Sequence, residues 1–210
     1  MMRKLIALIA LVSAPAALAA SQPKAVSITA LPDVVTYGAP TTLTGNVTPA
    51  ESVNVIVAAT PCLNPPSRVK EAAPVSVKSN KSDGAWTTLV TPQVRTSYQA
   101  TAKDASSETV MVQVRPRVTL AKVARHMFRT RIAAAKSFAG KTAYFQKRNP
   151  VGWITVKRVQ LRFVSSSTDT VVSGKTFHSG VFAHKTVRLL LPQRVVGNCY
   201  LTGISNMIHS

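Results

Sequence analysis

Apolar and polar residues alternate along most of this chain, in short runs separated by turn-forming clusters. Val, Thr and Tyr dominate the runs, and period-two alternation in β-branched and aromatic residues marks half-buried strands. In the first half the runs are AVSITA (25–30), TTLTGNV (41–47), SVNVIVA (52–58), APVSVKS (73–79), AWTTLVT (85–91), TSYQATA (96–102) and TVMVQVR (109–115). Between them, Tyr37-Gly38-Ala39-Pro40, Ser82-Asp83-Gly84 and Lys103-Asp104-Ala105-Ser106 supply the Gly, Asp and Pro chemistry of turns. TPCLNPPS (60–67) has too many prolines for a central strand and is predicted to be an exposed loop. The second half continues with RVTLAKV (117–123), HMFRTRIA (126–133), KTAYFQKR (141–148), WITVKRVQLRFV (153–164), KTFHSGVF (175–182), TVRLLLP (186–192) and CYLTGIS (199–205). Strands at this regular spacing, with no helical period between them, predict an all-β sandwich or barrel.

Pro116, inside VRPRVTL (114–120), lacks an amide donor and stops the preceding ladder, so the chain divides there. The halves rhyme: LTGNVTPAESVNVIVA corresponds to FRTRIAAAKSFAGKTAYFQ, and GAWTTLVTPQVRTSYQATA to GKTFHSGVFAHKTVRLLLP. Seven runs in each half match the strand count of an immunoglobulin-like domain. The expectation is two tandem Greek-key β-sandwiches, residues 21–115 and 116–210, on a linker too short to swing freely. Trp86, Thr88 and Val90 share one face of their strand and Thr87, Leu89 and Thr91 the other, and the pattern leaves open which is buried. Tyr98 stands two residues before the small Ala100, the spacing of a tyrosine corner, which assigns its hydroxyl a structural role.

YGAPTTLTGNVTPAESVNVIV, DGAWTTLVTPQVRTSYQA and VQVRPRVTL together resemble the tandem immunoglobulin-like repeats of secreted bacterial surface and cell-wall proteins of the high-GC Gram-positive type. The shared elements are a Tyr-Gly opening, a Gly in the second strand, a Gly-x-Trp turn and a Thr-Ser-Tyr-x-Ala strand. The resemblance covers residues 35–120 well and 121–205 more loosely; TVRLLLP stands where a tyrosine corner is due. It implies adhesion, spacing or ligand binding, and it carries over no enzymatic residue.

Residues 1–20 read as a secretory signal peptide: Arg3 and Lys4, an apolar run over 5–12, then small residues around Ala19. That run is too short to span a bilayer, and a released or surface-associated extracellular protein is expected. Charge sharpens the picture. Residues 21–115 hold 8 Lys and Arg against 6 Asp and Glu, whereas residues 116–210 hold 16 against the single acid Asp169. Such asymmetry points to an anionic partner for the second half. The alternative is a solubility device, with the charge incidental.

Cys62 and Cys199 are the only cysteines; in an exported protein they invite a disulfide between the halves, and otherwise they are two free small hydrophobes. No Gly-x-Ser-x-Gly elbow occurs, and one carboxylate in the second half excludes a paired-carboxylate site there, so no enzyme is expected. Cys199, Met207, His209 and an upstream His178 or His184 match a blue-copper ligand set in composition but not in order, so neither metal nor cofactor is expected. Alternation places Arg129 and Arg131 opposite Phe128 and Ile132, and Arg158 and Arg162 opposite Val159, Leu161 and Phe163. Together with Lys147, Arg148, Lys185 and Arg188 they are read as one basic face. Arginine suits phosphate because its planar fork binds two oxygens. The expected partner is an anionic cell-envelope polymer or anionic lipid. A protein partner is the alternative, and no motif for sequence-specific nucleic-acid reading is present.

Overall fold

The computed structural model describes residues 24–69, 72–181 and 184–210. The leader predicted over residues 1–20 lies outside the described residues, as does Phe182 at the end of one predicted strand. The first half forms β1 (Ala25–Val26), β2 (Thr29–Leu31), β3 (Val34–Thr36), β4 (Thr41–Thr48), β5 (Asn54–Pro61), β6 (Val75–Lys78), β7 (Ala85–Val90), β8 (Thr96–Ala102), β9 (Ala105–Ser106) and β10 (Val110–Arg115). The second forms β11 (Arg117–Ala124), β12 (Met127–Ala134), β13 (Thr142–Asn149), β14 (Gly152–Gln160), β15 (Arg162–Ser166), β16 (Val171–His178) and β17 (Thr186–Leu191). One helical turn, α1 (Gln193–Val196), and the short β18 (Gly203–Ile204) and β19 (Ile208–His209) complete it.

Four sheets result, and among the described residues no strand before Pro116 pairs with one after it. In the first half β1 and β2 flank β4, which pairs with β7; the facing sheet runs β3-β10-β8-β5-β6, with β3 parallel to β10. In the second half β11-β12-β16-β15 faces β14-β13-β17, whose far edge carries β18 and β19. These are the strand orders of immunoglobulin-like Greek keys: an A-B-E sheet against C′-C-F-G, with strand D present, among the described residues, only in the second half as β15. The rhyming segments found in the sequence are β4–β5 with β12–β13 and β7–β8 with β16–β17, the same places in the two pairs of sheets.

Side-chain volume explains the local choices. Gly45 and Trp86 are cross-strand partners, and a Cβ on Gly45 would lie 1.9 Å from the Ser27 carbonyl oxygen and 2.7 Å from the indole. The glycine therefore makes room for Trp86, which is buried; Thr87 and Leu89 take the solvent side. Gly84 has φ +71° and sits 2.1 Å, by its absent Cβ, from the Val47 carbonyl, so the turn before Trp86 also needs glycine. In the second half Phe128 from one sheet meets Phe145 from the other at 4.9 Å between ring centroids, and Phe177 packs against both.

Tyr98 is buried at the start of β8, and burial pushes its phenol up to about 12. Beside it, the Thr96 hydroxyl donates to the Val94 carbonyl at 2.8 Å. In the second half the buried Tyr200 hydroxyl accepts from the Ala135 amide at 3.0 Å.

The junction is tight. Only the buried Pro116 separates β10 from β11. Cys62 and Cys199 are disulfide-bonded with Cα atoms 5.4 Å apart. The Arg95 amide donates to the Cys199 carbonyl, the Leu201 amide to the Val114 carbonyl and the Tyr37 hydroxyl to the Asp169 carbonyl. Buried side chains of both halves join into one apolar cluster.

Three predicted runs are interrupted. AVSITA splits at Ser27-Ile28, with both pieces on β4. CYLTGIS holds only β18, because Cys199 and Tyr200 turn inward to the junction. WITVKRVQLRFV is the consequential case: it breaks at the buried Leu161, and β14 and β15 belong to opposite sheets.

Candidate anion-binding faces

The break at Leu161 divides the basic residues nominated from the sequence. On a continuous strand Arg158 and Arg162 would share a face, but the chain crosses the sandwich between them, and Phe163, expected inward, is 58% exposed. The single basic face therefore resolves into three places.

The first is the outer surface of β11-β12-β16-β15. Phe128, Thr130 and Ile132 of β12 point into the core, which turns Arg129 and Arg131 outward. Arg131 and Arg162 both pair with Gly174, one from each side, and with strands about 4.8 Å apart their Cα atoms stand roughly 10 Å from each other. Arg117 lies on the same outward side of β11 and was missed in the sequence because it abuts Pro116.

The second is the outer surface of β14-β13-β17. Ala143, Phe145 and Val159 point inward, leaving Tyr144, Gln146, Arg148, Trp153, Arg158 and Arg188 outward. Arg188 reaches from β17 across β13, and its Cζ lies 4.0 Å from the Trp153 ring centroid. Arg194, on α1, lies over Tyr144 and donates to its hydroxyl. Tyr144, Trp153 and Arg194 escaped the sequence reading; alternation sets Tyr144 on one face with Gln146 and Arg148, but nothing in one strand shows which arginine crosses to it.

The third lies between the sheets at the end remote from the junction. Lys147 and Lys185 line a cavity of about 290 Å³ with Val156, Ser179, Gly180 and Val181. Lys157 donates to the His178 carbonyl at 2.7 Å nearby, and the His126 and His178 rings are 5.9 Å apart.

Electrostatics unites the three places. The ion pairs among the described residues, Lys24–Asp104 and Lys103–Glu51, both lie in the first half. No described cation of the second half is ion-paired with an Asp or Glu. Asp169, its one acid, sits at the junction with Oδ1 buried and unpartnered. Lys136, also at the junction, is held below the ordinary lysine value by burial and by Lys141, and its Nζ donates to the Val196 carbonyl. Cys199 is committed to the disulfide, which removes the copper ligand set, and the described residues contain no group of three His, Cys, Asp or Glu able to hold a metal. No described helix is long and apolar enough to cross a membrane.

No known family pattern matches the chain, and no characterised protein matches it in sequence. Among solved structures, a marsupial T cell receptor matches at 13% identity over 87% of this chain and 100% of its own, with a TM-score of 0.29. The human OSCAR ligand-binding domain matches at 14% identity over 89% of this chain and 98% of its own, with a TM-score of 0.30. Similarity at this level carries no argument about ligands, and the immunoglobulin-like character of this chain stands on its strand order.

Proposed function

We propose that this protein is a non-catalytic extracellular binding protein of two rigidly joined modules, residues 21–115 and 116–210, and that the second binds an anionic cell-envelope polymer. One observation carries the reading: the second half holds 16 basic residues against one acid, spread over both sandwich faces, the remote end and the junction, with no described Asp or Glu paired to any of them. Uncompensated cations repel one another, a cost that a polyanion relieves by replacing its condensed counterions. A disulfide linking the halves suits an oxidising compartment. The first half, near neutral, is the docking or spacing module.

The test is binding of the full chain to teichoic acid, heparin and anionic vesicles across a salt series. Affinity is expected to fall linearly on a log–log plot, with a slope reduced by roughly one for each contacting arginine removed. The triple variants Arg129→Ala/Arg131→Ala/Arg162→Ala and Arg148→Ala/Arg158→Ala/Arg188→Ala report on the two faces separately. Binding that is insensitive to salt, or unchanged in both triple variants, overturns the reading.

A protein-binding spacer is the second reading, and one feature favours it. Without a strand D beside β7, the first sandwich is open along that edge, leaving an apolar cavity of about 360 Å³ lined by Val57, Val75, Val90, Val94 and Tyr98.

A further inference from the structure

Among the arginines of the two outer faces, Arg188 is the one held by two different side chains. Its Nε donates to Gln146 Oε1 at 2.9 Å, and its guanidinium stacks on Trp153. Gln146 Nε2 lies 3.5 Å from Thr155 Oγ1, which turns the amide oxygen toward the arginine. Gln146 is buried, so the acceptor of the clamp is shielded from water, while Arg188 and Trp153 are half-buried. The two Nη groups meet no protein acceptor among the described residues.

Arg148 and Arg158 rise from the same surface on either side, next to Trp153 and Tyr144 in their cross-strand pairs. Burial lowers the Arg188 pKa from its ordinary value, because its charge is partly stripped of water. By contrast, Arg129, Arg131 and Arg162 make no side-chain hydrogen bond to the described residues and stand in solvent. Those three attract an anion loosely. A guanidinium already fixed in plane, with one edge free, has lost its rotamer entropy before the ligand arrives.

We propose that the free Nη edge of Arg188, flanked by Arg148 and Arg158, is a dedicated subsite for a phosphate or sulfate ester group. The subsite rests on the polyanion reading above and gives it a specific point of contact. Two ester oxygens meet the Nη edge in the bidentate fork geometry, and the flanking arginines neutralise the remaining charge and the neighbouring esters of the polymer.

The test uses the full chain, with a glycerol-phosphate polymer and heparin as the phosphate and sulfate probes. Arg188→Lys keeps the charge and loses the fork; Gln146→Leu keeps the charge and loosens the clamp; Arg131→Lys is the control on the other face. Affinity for the preferred probe is expected to fall roughly tenfold in Arg188→Lys, less in Gln146→Leu, and less than about twofold in Arg131→Lys. Equal losses in Arg188→Lys and Arg131→Lys, in variants of unchanged melting temperature, overturn the subsite while leaving polyanion binding intact. Pyrophosphate titration followed at the Arg188 Nε–Hε NMR resonance separates the two ideas from the other side. A saturable shift without polymer binding keeps the subsite and sinks the polymer reading; no shift and no polymer binding sink both.

Discussion

Gly45 shows how one missing side chain organises half a molecule. Its backbone lies flat against the Trp86 indole and the Ser27 carbonyl, so the largest core residue of the first sandwich is seated only because position 45 has no Cβ. Gly45→Ala drives a methyl into a backbone oxygen that cannot move without shifting the strand, and the expected loss is at least about 2 kcal/mol. Gly180→Ala is the contrast, since nothing lies within 4 Å of its Cβ position and its φ is not in the left-handed region; a change within about 0.5 kcal/mol is expected. Urea midpoints of the two variants decide the matter, and equal values would show that the close approach at Gly45 is not what holds Trp86. At this scale the sequence was informative. The glycine of the second strand and the Gly-x-Trp turn were visible as separate marks, and the structure shows them to be one contact.

At the scale of strands, alternation is a statement about faces, not about sheets. In WITVKRVQLRFV the period of two continues unbroken through Leu161, because the residue at the crossing is buried just as a core-facing strand residue would be. Nothing in the pattern distinguishes a strand that goes on from one that ends and re-forms on the opposite sheet. That is why Arg158 and Arg162 looked like neighbours, while the runs TTLTGNV and TSYQATA, which end in ordinary turns, correspond closely to β4 and β8. The crossing itself can be tested. Leu161 is 1% exposed between the sheets, so Leu161→Ala should cost about 2–4 kcal/mol, whereas Phe163→Ala should cost under about 1 kcal/mol. A continuous strand predicts comparable losses at the two positions, and comparable losses measured by chemical denaturation would restore it. The clamp on Arg188 was beyond the sequence for a related reason. It joins β13, β14 and β17, and cross-strand register is a property of pairs that no single run encodes.

The whole molecule sets a nearly neutral half against a half burdened with like charge, and the junction decides whether they unfold together. The bridge between Cys62 and Cys199 closes a sequence separation of 137 residues, the main-chain bonds at Cys199 and Leu201 stitch the halves, and the apolar cluster is continuous through them. Calorimetry of the oxidised protein is therefore expected to show one transition. Removing the bridge in Cys62→Ser/Cys199→Ser releases the chain entropy it constrains, about 4–5 kcal/mol in the loop-closure account, and leaves the remaining contacts to hold the halves together alone. The transition should then split, with the basic half melting first, because repulsion among its 16 cations is relieved on unfolding. Salt should raise that lower transition by screening, and heparin should raise it further at equal ionic strength by binding the folded form. The upper transition, from a half with 8 bases and 6 acids, should respond weakly to both. A single transition that survives loss of the disulfide would place the coupling in the shared core, and a lower transition indifferent to salt would remove charge repulsion as the reason the second half needs a polyanion.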